Sequence, residues 1–157
     1  MQGLIVNTSR GLEPLSGGGW LVDESLFRFL VHFEIQKAQR LRYSVALVCL
    51  EVEPPSGANG ESEPASLAGT IVPSLRGTDA VAPWNLSSLA LLLIDAETDH
   101  LLAIIDRLTR RLQMATWSAG ASCYPRTAAH ADVMLRQALD SLTRAKEEGG
   151  NRLYVAS

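Results

Sequence analysis

The sequence has little of what metal clusters, disulfide scaffolds and membrane spans require. It contains 2 cysteines and 3 histidines among 157 residues, so there is no Cys/His cluster on which to build a metal site. Cys49 and Cys123 both lie in apolar, strand-like stretches, and we expect two buried thiols in a reducing compartment. No apolar run reaches the ~18 residues of a transmembrane helix, and we therefore expect no membrane insertion.

A strong charge of one sign is also missing. The net charge is −3 and charged residues make up 20% of the chain, whereas non-specific binding to nucleic acid needs a strongly basic surface. We therefore expect no nucleic-acid partner, although one local basic pocket is compatible with this total. The first residues lack the charged and then apolar pattern of a signal peptide, and the expected location is the cytoplasm.

The sequence does contain alternating helical and strand patterns. Residues 1–20 end in SGGGW and predict a flexible lead-in, while residues 21–157 predict one folded domain. The long apolar strand at 43–52 is predicted to be central and buried on both faces. The order favours an α/β (α+β) fold with a central five-stranded sheet flanked by helices. The predicted helices are 23–42, 65–76, 97–113 and 129–147, and the predicted strands are 43–52, 79–82, 89–94, 114–124 and 152–156.

Four stretches of the chain, taken in order, carry a family resemblance. They are FRFLVHFEIQKAQRLRYSVALVCLEVE, LRGTDAVA, TWSAGASCYP and QALDSLTRAKEEGGNRLYV. At the family's spacing they resemble the GGDEF domain of diguanylate cyclases, over about Gly11 to Val155. The resemblance implies the GGDEF, nucleotidyl-cyclase-like fold.

The family's signature, Gly-Gly-Asp/Glu-Glu-Phe, falls on five residues that do not match it: Asn85, Leu86, Ser87, Ser88 and Leu89. In the family the glycines form a tight turn, the third residue holds magnesium and the fourth reads guanine. Asn85 and Leu86 are not expected to replace the freedom of glycine. A neutral Ser87 hydroxyl is a poor ligand for Mg²⁺, which prefers anionic oxygens. We therefore expect a degenerate domain without cyclase activity, catalytic residues, bound metal or cofactor.

Two other positions of the family's active site keep charged residues. Glu51 falls on the second metal carboxylate, and Lys146 falls on a contact to substrate phosphate. Each also has a simpler interpretation, which we favour. Glu51 is then a strand-end residue in solvent, and Lys146 a solvated cation that suits the C-terminal end of a helix.

The family's inhibitory site, an Arg-x-x-Asp motif, falls on Arg76 and Asp79, with five residues between Asp79 and Asn85. The resemblance implies that cyclic di-GMP binds here, with Arg107 as a second arginine. An arginine can pair with guanine O6 and N7, and an aspartate can accept from guanine N1 and N2. The alternative is a chance ion pair three residues apart, worth at most ~0.5 kcal/mol.

Two functions therefore remain open. The first is a cyclic di-GMP receptor that uses Arg76, Asp79 and Arg107. The second is a scaffold that binds no nucleotide and instead forms a homodimer or contacts another protein domain. The sequence does not distinguish them.

Overall fold

The computed structural model describes residues 12–14, 18–53, 64–85, 87–110 and 116–157. Within these ranges the centre is a seven-stranded mixed sheet, in the order β1-β2-β4-β5-β3-β6-β7. The strands are β1 (Leu12–Pro14), β2 (Trp20–Val22), β3 (Val45–Glu53), β4 (Ala80–Trp84), β5 (Ser88–Ile94), β6 (Thr116–Tyr124) and β7 (Arg152–Val155). The helices are α1 (Glu24–Leu41), α2 (Pro64–Ile71), α3 (Thr98–Thr109) and α4 (Ala131–Glu147).

Strand β3 is central, as its apolar sequence predicts. It pairs antiparallel with β5 on one side and with β6 on the other. Because side chains alternate across a strand, Ala46, Val48 and Leu50 pack in one core, where α2 and α3 cover the sheet. The residues between them, such as Leu47 and Cys49, pack against α1 and α4 on the opposite face. The α+β fold with helices on both faces of a central sheet is therefore confirmed.

The helix signals in the sequence predict most boundaries well. The Asp23 carboxylate accepts a hydrogen bond from the Leu26 backbone N–H at 2.8 Å, as expected of an N-cap. Helix α2 ends at Ile71 and continues as a 3₁₀ turn over Val72–Ser74, because Pro73 cannot extend an α-helix. Helix α3 ends at Thr109, before the predicted 113, and residues 111–115 lie outside the described ranges.

The prediction of a flexible lead-in is wrong for part of its length, and the sheet has seven strands rather than five. Strand β2 pairs in parallel with β4, placing Trp20 opposite Ala80. Gly19 permits this contact, since a Cβ there would lie 2.7 Å from the Asp79 carbonyl oxygen. Glycine therefore serves close packing rather than flexibility here. Residues 1–11 and 15–17 lie outside the described ranges, and the domain boundaries stay a prediction.

Both cysteines are buried free thiols, as the sequence predicts. Burial raises the pKa of Cys49 to about 12. Burial also raises the pKa of Cys123, to about 11. Since the thiolate is the reactive form, both side chains act as core residues. In the described part of the chain, every helix is too short or too polar to cross a bilayer.

Candidate functional site

The β4–β5 hairpin holds two candidate sites at opposite ends of β5. Its register places Trp84 opposite Ser88 at the turn and Ala80 opposite Leu92 near the other end. The five residues aligned with the family signature therefore surround the hairpin turn. The Arg-x-x-Asp motif lies just before β4, beside the last residues of β5.

At the hairpin turn, packing and a polar side chain fix the backbone. Trp84 is buried and packs edge-on against Phe27, with ring centroids 5.8 Å apart. The Arg28 guanidinium lies 4.5 Å from the centroid of the same indole ring. Asn85 adopts a left-handed φ of 50°, and its Oδ1 accepts from the Ser87 backbone N–H at 2.9 Å. The expectation that Asn85 cannot replace glycine in the turn is wrong, because asparagine tolerates this conformation. Leu86 lies outside the described residues.

Behind this turn, the two charged residues at positions that the family resemblance assigns to an active site pair with each other. The Lys146 ammonium lies 2.9 Å from Glu51 Oε2, and the Glu51 side chain is only 12% exposed. The hydroxyls of Ser87 and Ser88 donate to Glu51 Oε1 at 3.4 Å. Our favoured interpretation of Glu51 as a strand-end residue in solvent is wrong. Lys146 does lie in the last turn of α4 and is 43% exposed, as predicted, but its ion pair with Glu51 was missed. Both interpretations treated each residue alone, whereas the last turn of α4 brings the two together.

This arrangement does not fit the magnesium that the family would hold. Mg²⁺ requires several oxygen ligands in an octahedral geometry. The site offers one carboxylate, Glu51, already neutralised by Lys146, together with two uncharged hydroxyls. Among the residues that the structure describes, no three His, Cys, Asp or Glu side chains are grouped as a metal site would need.

At the other end of the hairpin, Asp79 joins two backbone segments. Its side chain is buried. Its Oδ2 accepts from the Arg76 backbone N–H and its Oδ1 from the Ile94 backbone N–H, both at 3.0 Å. The carboxylate thus closes the turn and fastens it to the end of β5. Both of its oxygens are already engaged within the protein.

Arg76 is held in place but stays open to solvent. Its Nε lies 3.7 Å from Asp79 Oδ2, and its side chain is 58% exposed. One terminal N–H donates to the Ile94 carbonyl oxygen. These contacts orient the guanidinium beside the end of β5 and leave part of its donor set for a ligand.

Arg76 and Arg107 line the same cavity, of about 230 Å³. Arg76 comes from the turn before β4, and Arg107 from the last turn of α3. Within the described residues Arg107 forms no ion pair, whereas Arg110 pairs with Asp106 at 2.8 Å. The other lining residues are Asp95, Ala96, His100 and Ile104. Asp79 is not among them, and lines a separate cavity with Trp20 and Glu34.

No protein-family model matches the sequence, and no curated protein matches it. Solved structures do match the fold. The GGDEF domain of YfiN (TpbB) from Pseudomonas aeruginosa is 19% identical, with a TM-score of 0.77 over 86% of this chain and 96% of that one. The active GGEEF domain of a diguanylate cyclase from Vibrio cholerae is 12% identical, with a TM-score of 0.74 over 86% and 97%.

The chain has the fold of a GGDEF domain. A further match is the GGDEF domain of DgcB from Caulobacter crescentus, solved in complex with c-di-GMP. It is 15% identical, with a TM-score of 0.70 over 88% of this chain and 90% of that one. These likenesses confirm the predicted fold.

Within this GGDEF fold, the sequence located two of the residues that share the cavity and missed others. The structure places Arg76 and Arg107 at one cavity, as the family resemblance implies, and places Asp79, the third residue predicted for this site, outside its lining. Asp95 and His100 were missed. A signal for both exists in the polar stretch DAETDH, which runs from the end of β5 into the first turn of α3, because residues at the junction of a strand and a helix are common binding positions.

Proposed function

We propose that this protein is a cytoplasmic GGDEF-type receptor that binds cyclic di-GMP and does not synthesise it. One observation carries the proposal. Arg76 and Arg107 lie on different elements and line a single cavity. Two arginines are suited to guanine O6 and N7 or to the phosphates. The binding of c-di-GMP by the neighbour DgcB supports the choice of ligand.

The volume of the cavity limits how much of a dinucleotide it can enclose. Pockets that enclose a whole small molecule measure about 300–1,000 Å³, and this one measures about 230 Å³. We therefore propose that one guanine enters the cavity and that the rest of the dinucleotide lies across the surface. The phosphates then meet a local excess of positive charge, despite the acidic total.

The residues at the opposite end of β5 support the proposal that the protein does not synthesise cyclic di-GMP. Phosphoryl-type transfer depends almost wholly on metal ions and positioning. Here Ser87 and Ser88 replace the carboxylates of the signature, and Lys146 neutralises the remaining acid, Glu51. The contacts at this end therefore support a catalytically inactive domain.

Calorimetric titration with cyclic di-GMP tests the proposal. We expect micromolar binding by the wild type and at least a tenfold weakening in Arg76→Ala and in Arg107→Ala. The reason is that a bidentate arginine–guanine contact is worth about 1–3 kcal/mol. Arg110→Ala is the matched control, because Arg110 follows Arg107 closely, pairs with Asp106 and does not line the cavity. Its affinity should equal that of the wild type.

A thermal-shift measurement is the second test of the receptor function. Ligand at about 100 times a micromolar dissociation constant should stabilise the fold by ~2.7 kcal/mol. A wild-type protein that gives neither heat nor a thermal shift under these conditions contradicts the receptor function. If Arg110→Ala weakened binding as much as Arg76→Ala does, the assignment of the ligand to this cavity would be contradicted.

One observation favours the second function, a protein-interaction scaffold. On the outer surface of α1, Phe29 and Phe33 stack with centroids 5.7 Å apart, and are 59% and 45% exposed. Exposed apolar patches are typical of contact surfaces. A dimer in light scattering that Phe33→Ser dissociates, combined with no response to cyclic di-GMP, would establish this function instead.

A further inference from the structure

We infer that Asp95, rather than Asp79, is the carboxylate that recognises the guanine base, and this inference rests on the proposed function. Asp95 directly follows the last residue of β5 and lines the cavity that Arg76 and Arg107 share. The Arg-x-x-Asp spacing in the sequence directs attention to Asp79. The hydrogen bonds of the folded chain assign that residue another role.

Asp79 lies outside the cavity that Arg76 and Arg107 share. Only 3% of the residue is exposed, and its two carboxylate oxygens accept from the backbone N–H groups of Arg76 and Ile94. Each oxygen keeps a further lone pair, but the side chain is buried and does not line the cavity of Arg76 and Arg107. A base that enters this cavity therefore meets Asp95 and not Asp79.

Asp95 has the opposite properties. It is exposed, and among the described residues its carboxylate takes part in no ion pair or hydrogen bond. Its backbone is nevertheless fixed, because its N–H donates to the Ser44 carbonyl oxygen at 2.7 Å and its φ is a left-handed 60°. Aspartate tolerates this conformation better than most residues. The position therefore presents a free acid on a rigid support.

The groups around the cavity match the edges of guanine. Guanine has acceptors at O6 and N7, which pair with arginine, and adjacent donors at N1 and N2, which pair with a carboxylate. Arg76 and Arg107 supply the first set, and Asp95 supplies the second. Adenine has an amino group in place of O6 and an acceptor at N1. Its amino donor would face the arginine donors, and its N1 acceptor would face the carboxylate of Asp95. The cavity should therefore select a guanine dinucleotide over its adenine counterpart.

The experiment compares cyclic di-GMP with cyclic di-AMP on three proteins by calorimetry. The wild type should prefer cyclic di-GMP at least tenfold. Asp95→Asn, which keeps a side chain that tolerates the left-handed backbone, should bind cyclic di-GMP at least tenfold more weakly and lose most of this preference. Glu97→Gln is the matched control, because it removes the same charge two residues away, outside the lining of the cavity. Its two affinities should match those of the wild type.

The outcomes separate the two proposals. If the wild type binds neither dinucleotide, the proposed function fails, and the inference fails with it. If the wild type binds cyclic di-GMP and Asp95→Asn binds it equally well, the inference alone is overturned. A folded Asp79→Asn protein, verified by circular dichroism, that loses binding while Asp95→Asn keeps it would also overturn the inference, and would leave Asp79 as the acidic residue on which the site depends.

Discussion

Asp79 shows how a residue of the Arg-x-x-Asp motif can serve the fold. Its carboxylate accepts two backbone N–H groups, one from the start of its own turn and one from the last residue of β5. These bonds determine where Arg76 stands relative to β5. Asp79 therefore acts on the proposed site as a positioning residue, through the backbone.

This role predicts a stability difference between two aspartates. Asp79→Asn should lower the free energy of unfolding by about 1–3 kcal/mol, because one buried N–H loses its acceptor. Asp95→Asn is the control and should change it by less than about 0.5 kcal/mol, as is usual for an exposed position. Urea denaturation followed by tryptophan fluorescence measures both. Equal stabilities would show that the Asp79 bonds do not hold the turn.

At the residue scale, the sequence could predict side chains whose role depends on local spacing. Arg76 could be proposed because the motif and its distance from the signature are linear features of the chain, and Arg107 because the family resemblance aligns it with a second arginine. The pairing of Glu51 with Lys146 was not predicted, because it depends on where the end of α4 crosses the sheet. The same holds for the bond from the Ile94 N–H to Asp79, which depends on strand register.

At the scale of elements, periodicity predicted the four helices and the five longer strands to within a few residues at most ends. It failed for β1 and β2, each of three residues. A period of two cannot be recognised in so short a segment, and the neighbouring glycines indicated a loop. Their strand structure comes from pairing, since β2 lies against β4, which is distant in sequence.

Two glycines test how elements pack together. A Cβ on Gly120 of β6 would collide with the backbone of α4 at Leu142 N and Ala138 O, whereas a Cβ on Gly69 of α2 would meet nothing within 4 Å. Gly120→Ala should therefore destabilise the fold by about 3 kcal/mol through overpacking. Gly69→Ala should stabilise it by about 0.5–1 kcal/mol, because alanine favours a helix.

Thermal or urea unfolding of the two variants measures the difference. Each serves as the control for the other, because the chemical change is the same. A Gly120→Ala protein as stable as the wild type would mean that α4 can move away from β6 at little cost. A destabilised Gly69→Ala protein would mean that α2 packs differently from the structure described above.

At the scale of the whole molecule, we predict that the protein makes no cyclic di-GMP from GTP with Mg²⁺ or Mn²⁺. The double variant Ser87→Asp, Ser88→Glu should remain inactive, because Lys146 still neutralises Glu51 and Leu86 still occupies a glycine position of the signature. Chromatography of the nucleotide products against a control without protein measures the activity. Product that forms with the wild type and disappears in Glu51→Ala would overturn the prediction.

The attachment of β2 has a mechanical consequence. The Trp20 backbone N–H donates to the Asp79 carbonyl oxygen at 2.9 Å, and its indole N–H donates to the Gly77 carbonyl oxygen at 2.9 Å. A force that pulls β2 along its axis would load the turn between Arg76 and Asp79 through these two hydrogen bonds, as well as the core in which Val22 is buried. Tension on this strand would thus tilt the arginine at the proposed cavity, and an occupied cavity would stiffen the strand in return.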